Sequence, residues 1–151
     1  MEYAGFLDLP HQNKDFLNII TWNITGAKTK LDKLNVYNFV LYYDLICLNE
    51  VKTPLHVGIP GYVSYKSKAG TGEAASRRGG TVVLVRNYLS SQVYNVDLSI
   101  TDQVWLRLRC VPDVMFGFCY IPPSDSPYFN HHSFVTLHEK NIDFRATLNF
   151  V

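Results

Sequence analysis

The sequence predicts a layered α/β domain, and three observations carry that expectation. A short β-branched run, an amphipathic stretch and a second apolar run follow one another near the N-terminal side. Strand, helix, strand in that order builds a parallel pair with a helix on one face. The second half is a succession of apolar or alternating runs divided by Gly and Pro turns, which is how antiparallel strands read. Finally, 47% apolar and 14% aromatic against 18% charged residues describe a chain that buries a core, and exclude a disordered or coiled-coil one.

Residues 1–15 mix Pro, His, Gln and Asn without periodicity and read as a leader outside the core. Residues 16–22 (FLNIITW) are β-branched and end at Asn23 and Gly26, so a strand runs into a loop. Leu31, Leu34, Val40 and Leu41, with Lys and Asp between them, predict an amphipathic helix over 28–42. Residues 44–49 (DLICLN) form the next strand. Pro60 and Gly61 turn the chain into an alternating strand at 62–66. The small, polar 67–78 segment reads as a loop. Gly79 and Gly80 open a buried strand at 81–86 (TVVLVR). Two alternating strands follow at 92–98 and 104–110, and the second pairs with 115–121 as an antiparallel hairpin across Pro112 and Asp113. A helix is expected from about 132 to 144 and a further strand over 146–151.

Charge and cysteines narrow the class. Net charge is +1 and the pI about 7.7, so bulk charge names no nucleic-acid partner. Residues 66–86 hold Lys66, Lys68, Arg77, Arg78 and Arg86 against the single acid Glu73, a local excess that reads equally as a phosphate contact or as a solvated loop. Cys47, Cys110 and Cys119 each sit in an apolar run, an odd set that argues for buried thiols rather than a disulfide framework. No apolar stretch approaches the roughly 20 residues of a membrane span, and no signal peptide is recognisable, so an intracellular chain in nucleus or cytoplasm, with no membrane partner, is expected. His131, His132 and His138 have no Cys or carboxylate at zinc spacing. The glycines do not form a nucleotide-binding P-loop.

Candidate chemistry lies at the strand exits. Asn23, Glu50 and Tyr120 each stand at the exit of a predicted core strand, where side chains can converge on a shared crevice. By residue type alone, Glu50 reads also as a solvated carboxylate, Asn23 as a turn former and Tyr120 as a core aromatic.

The segments ITWNITG, LICLNEV, RRGGTVVLVR and CYIPP, in that order, resemble the endonuclease/exonuclease/phosphatase superfamily of DNase I-like folds. Their wording is closest to the endonuclease domains of non-LTR (LINE-type) retrotransposons. The resemblance covers roughly residues 16–150. It implies a DNase I-like four-layer α/β sandwich, present in part and mainly as its first sheet, and Mg2+-dependent cleavage of phosphodiesters, with Mn2+ as a substitute. It implies that Glu50 is a metal ligand, that Asn23 helps place the metal and the scissile phosphate, and that Tyr120 donates to a phosphate oxygen as charge builds there. Mg2+ takes oxygen ligands and keeps several waters, so one or two carboxylates plus substrate suffice. Arg77 and Arg78 become candidate nucleic-acid contacts, and DNA the expected partner.

The resemblance also implies later elements: a Gly-Asp-x-Asn segment, a further Asp, and an Asp-His pair supplying the general base. None is found by residue 151. The expectation is therefore that residues 16–151 are the N-terminal part of the domain and inactive alone, since a general base contributes about 10²–10⁴ in rate. The competing expectations are a non-catalytic phosphate- or nucleic-acid-binding remnant, and a phosphoinositide or sphingolipid phosphoesterase of the same superfamily.

Overall fold

Strand Leu45–Asn49 explains the layering. All five of its residues are buried, and because successive side chains point to opposite faces of a strand they feed two separate cores. Ile46 and Leu48 join Val82, Leu84, Ile24, Ala27, Val51, Val57 and Ile59 on one face. Leu45 and Cys47 join Val83, Val85 and Leu89 on the other, and there they meet Val104, Leu106 and Leu108 from a second sheet. A strand buried on both faces needs a near-continuous apolar run, which is what LICL supplies.

The computed structural model describes residues 16–27, 30, 41–52, 56–68, 80–109, 113–126, 129, 131–132, 135–137 and 139–140. In chain order the elements are β1 (Ile19–Asn23), β2 (Leu45–Asn49), β3 (Tyr62–Lys66), β4 (Val82–Arg86), a four-residue helix α1 (Asn87–Ser90), β5 (Val93–Asp97), β6 (Gln103–Leu108) and β7 (Val114–Cys119). The strands form a mixed sheet in the order β1-β2-β4-β3 and an antiparallel sheet in the order β5-β6-β7. β1 runs parallel to β2, with Asn23 level with Asn49. β4 is antiparallel to β2 and to β3.

The predicted α/β class is observed, and three described strands stand in the second sheet beyond the first-sheet share that the sequence predicts. β3 keeps its predicted bounds. β1 starts three residues later than expected, because the Asn18 amide donates to the Asp44 carboxylate at 2.7 Å rather than to a neighbouring strand. β6 and β7 form the antiparallel hairpin that the sequence predicts, with Trp105 opposite Gly117. The indole ring lies over that glycine so closely that a Cβ there would collide with it, and its N–H donates to the buried Gln103 at 3.0 Å. The glycine thus seats a large aromatic without bending the strand.

Among the described residues, 131–132, 135–137 and 139–140 are helical, matching part of the expected C-terminal helix. Lys140 ties this segment to Asp97 of β5 at 2.7 Å. Of the helix expected over 28–42, residues 30, 41 and 42 are described and form turns; the rest of that segment, the leader expected over 1–15, most of the 67–78 loop, Cys110, His138 and the strand expected over 146–151 lie outside the described residues. No helix among the described residues is long and apolar enough to cross a membrane.

Candidate functional site

β1 and β2 are parallel and in register, so their C-terminal ends release Asn23 and Glu50 side by side. Pairing continues past both strands: the amides of Ile24, Gly26 and Ala27 bond to the carbonyls of Asn49, Glu50 and Val51. β7 leaves the second sheet at the same end and delivers Tyr120. The result is a contact among three residues that lie far apart in sequence. Asn23 Nδ2 donates to Glu50 Oε1 at 3.0 Å, and the Tyr120 hydroxyl donates to the same oxygen at 2.5 Å. Lys52, which no sequence motif marks, pairs with the other oxygen, Oε2, at 3.0 Å.

Asn23 is oriented by chemistry. Its Oδ1 faces the Thr25 amide at 3.1 Å and the Thr25 hydroxyl at 3.0 Å. A backbone N–H can only donate, so the carbonyl oxygen must turn to Thr25 and the amide nitrogen to Glu50. Asn23 therefore acts here as the donor that holds the carboxylate.

Electrostatics follow from these contacts. The hydrogen bonds from Tyr120 and Asn23, with Lys52 behind them, hold the Glu50 carboxyl down at about 2. The same hydrogen bond, reinforced by burial and by the charges of Glu50 and Asp102, pushes the Tyr120 phenol up to about 12. At neutral pH the site is thus an ionised carboxylate facing a phenol that keeps its proton.

The backbone is unusual at this end of the sheets. Among the described residues, the non-glycine positions with positive φ are Thr25 (45°), Glu50 (54°), Lys52 (50°) and Asp102 (57°). For a β-branched Thr this is a sterically poor conformation. Each such residue costs on the order of 1–3 kcal/mol and persists where surroundings enforce it, commonly at binding and catalytic sites. All four belong to the hydrogen-bonded neighbourhood of Glu50. Asp102 is the second residue that the sequence left unmarked. Its carboxylate accepts the Gly80 amide at 2.6 Å, and burial raises its pKa.

A polar relay lies beneath the site. Asn49 Nδ2 donates to Thr21 Oγ1 at 3.2 Å, and its Oδ1 takes the Thr81 hydroxyl at 3.1 Å. No sequence signal separates this buried Asn from Asn23, which stands level with it in register; Asn49 lies on an interior strand and Asn23 on the edge strand.

The donor set fits a hard divalent ion. Glu50 offers two anionic oxygens at a half-exposed strand exit, and such an ion needs few protein ligands. Among the described residues no group of three or more His, Cys, Asp or Glu side chains is arranged to hold a metal, so the grip would come from Glu50 with substrate and water. Ligation by Asn23 would require its Oδ1 to be released from Thr25. Arg77 and Arg78 lie outside the described residues. The expected basic patch loses one member: Arg86 sits at the opposite end of β4, stacked over Tyr62 at 4.8 Å and donating to the carbonyls of Tyr43 and Leu41.

Residues 20–148 match the sequence profile of the Endonuclease/Exonuclease/phosphatase family. No curated protein matches the chain. With most of its length inside that profile, the chain belongs to the endonuclease/exonuclease/phosphatase family.

Proposed function

We propose that this chain carries the ion- and phosphate-gripping part of a Mg2+-dependent phosphodiester hydrolase, retroelement-derived, whose substrate is DNA. The observation that carries the reading is the gathering of Asn23, Lys52 and Tyr120 around one ionised carboxylate. Glu50 stays charged at any pH near neutral, so protons do not compete for it. Tyr120 keeps its hydrogen and can donate to a non-bridging phosphate oxygen as negative charge develops there. Lys52 supplies a mobile positive charge that balances Glu50 and can meet a phosphate when the carboxylate is otherwise engaged. A divalent ion bound at Glu50 would polarise the phosphoryl oxygen and neutralise the leaving oxygen. Activation of water is assigned to elements outside this cluster. The choice of DNA over a phospholipid headgroup rests on the retrotransposon-like wording around residues 120–123 (YIPP).

The test is Mn2+ binding followed by electron paramagnetic resonance, together with a plasmid-nicking assay in Mg2+. The 151-residue chain should bind Mn2+ and lose that binding in Glu50→Gln, while nicking stays near background. Equal Mn2+ binding in both proteins would remove the reading. Efficient nicking that vanishes in Glu50→Gln would place the whole catalytic apparatus within these residues and overturn the division of labour.

A further inference from the structure

Asp102 stands on the second sheet, before β6, yet it bonds to both sheets. Its carboxylate accepts the amide of Gly80, which precedes β4. Its own carbonyl accepts the Tyr120 amide at 3.0 Å and faces the Thr81 hydroxyl at 3.0 Å. Gly80 in turn offers its carbonyl to the amide of Val51, the residue after Glu50, at 3.2 Å. Followed around, these contacts close on themselves. Glu50 is joined through Val51 to Gly80, Gly80 to Asp102, Asp102 to Tyr120, and the Tyr120 hydroxyl returns to Glu50. Within this circuit, Gly80 to Asp102 is the link between the sheets that depends on a side chain other than the two that meet in the site.

We propose that Asp102 is a positioning residue for this site: by bonding the Gly80 turn and the Tyr120 backbone at once, it fixes the distance between the Glu50 carboxylate and the Tyr120 phenol. The inference rests on the reading of Glu50 and Tyr120 as the ion and phosphate grip. The backbone supports an assigned role, since Asp102 and Gly80 both have positive φ, 57° and 86°. Gly80 adopts that conformation freely, and Asp tolerates it better than most residues. What the circuit needs from Asp102 is a short acceptor oxygen on a left-handed backbone. Asn supplies both, and Gly supplies the backbone alone.

That contrast sets the experiment. The full 151-residue chain is labelled with tyrosine carrying 13C at its ζ-carbon, and the Tyr120 signal is identified by its loss in Tyr120→Phe. In Asp102→Gly the signal should move to the position of a solvent-exposed tyrosine, and Mn2+ affinity should fall about tenfold, the lower range for loss of a group that orients a ligand. Asp102→Asn should restore both. An unchanged Tyr120 signal in a folded Asp102→Gly protein overturns the proposal, as does a failure of Asp102→Asn to restore it. Should the unsubstituted chain bind no Mn2+, the ion-site reading falls, and the Tyr120 signal still decides for or against Asp102. If Asp102→Gly does not fold, amide exchange in the unsubstituted chain reads the same circuit. Slow exchange of the Gly80 and Tyr120 amides at one common rate supports it; fast exchange at Gly80 overturns it.

Discussion

The two ends of the first sheet carry the same kinds of side chain and use them in opposite ways. At the entry to β2, Asp44 is 2% exposed. It accepts the Asn18 amide and the Tyr88 hydroxyl, each at 2.7 Å. Arg86 covers Tyr62 and caps the carbonyls of Tyr43 and Leu41, while Tyr62 donates to the Tyr43 carbonyl at 2.7 Å. At the exit of β2, Glu50 likewise meets a tyrosine, a cation and an amide, but the cluster is half-exposed and several of its residues hold a left-handed backbone. An acid, a tyrosine and a cation therefore do not by themselves make a site. The closed end spends its polar groups on holding the chain together, and the open end leaves a charged carboxylate within reach of a ligand.

If that contrast is right, substitution should separate stability from binding, and the largest effect should fall at the closed end. Asp44→Ala removes a buried carboxylate and strips the partner from the half-buried Asn18 amide and Tyr88 hydroxyl. The expected loss is about 3 kcal/mol, measured by urea unfolding. A loss under about 1 kcal/mol would show that the entry cluster does not hold this end of the sheet together.

Next in size is Glu50→Gln. It removes the only carboxylate of the Asn23, Lys52 and Tyr120 cluster and should abolish detectable Mn2+ binding, while unfolding free energy falls by about 1 kcal/mol, well under the loss in Asp44→Ala, because the Gln carbonyl oxygen still accepts from Tyr120. A protein destabilised as strongly as Asp44→Ala would mark Glu50 as structural.

The sequence makes the sheets more legible than the site. β2 and β4 are short apolar runs with no room for another reading, and Tyr62–Lys66 alternates between turn residues. α1 is invisible beforehand because four residues hold no helical period, and its first turn has no side-chain cap. Asn23, Glu50 and Tyr120 are readable because they end recognisable strand motifs. Lys52 and Asp102 are not, because their places depend on left-handed backbone and on partners across the fold. Arg86 misleads for the same reason: close in sequence to Arg77 and Arg78, it belongs to the end of β4 remote from Glu50.

The two ends should also fail at opposite extremes of pH. The Glu50 pKa is lowered in the fold, so its stabilising contribution is complete above its unfolded value near 4.5 and is lost as pH falls toward 2. The Tyr62 pKa is raised to about 12, mainly by burial, so its contribution is complete below its unfolded value near 10 and is lost as pH rises through 12. Tyr88, raised by burial and by Asp44, behaves in the same sense. Unfolding free energy measured against pH should lose part of its acid slope in Glu50→Gln, and part of its alkaline slope in Tyr62→Phe. An exchange of those two effects would contradict the contrast.

The smallest expected effect concerns Lys52, and it tests whether the open end is held ready for a ligand. Its ammonium balances Glu50 while a divalent cation is absent, so ion and lysine compete for one carboxylate. Removing the competitor should tighten ion binding. A half-exposed pair is worth about 0.2–1 kcal/mol, which limits the gain in Mn2+ affinity to about fivefold. Asn is the suitable replacement because it tolerates the left-handed backbone at this position. The same substitution should weaken binding of a short DNA duplex, because a positive charge beside the phosphate is lost. Tighter Mn2+ with weaker DNA identifies Lys52 as a counter-ion shared between carboxylate and phosphate. Weakening of both would mean that Lys52 merely holds Glu50 in place, as Arg86 holds the opposite end of the sheet.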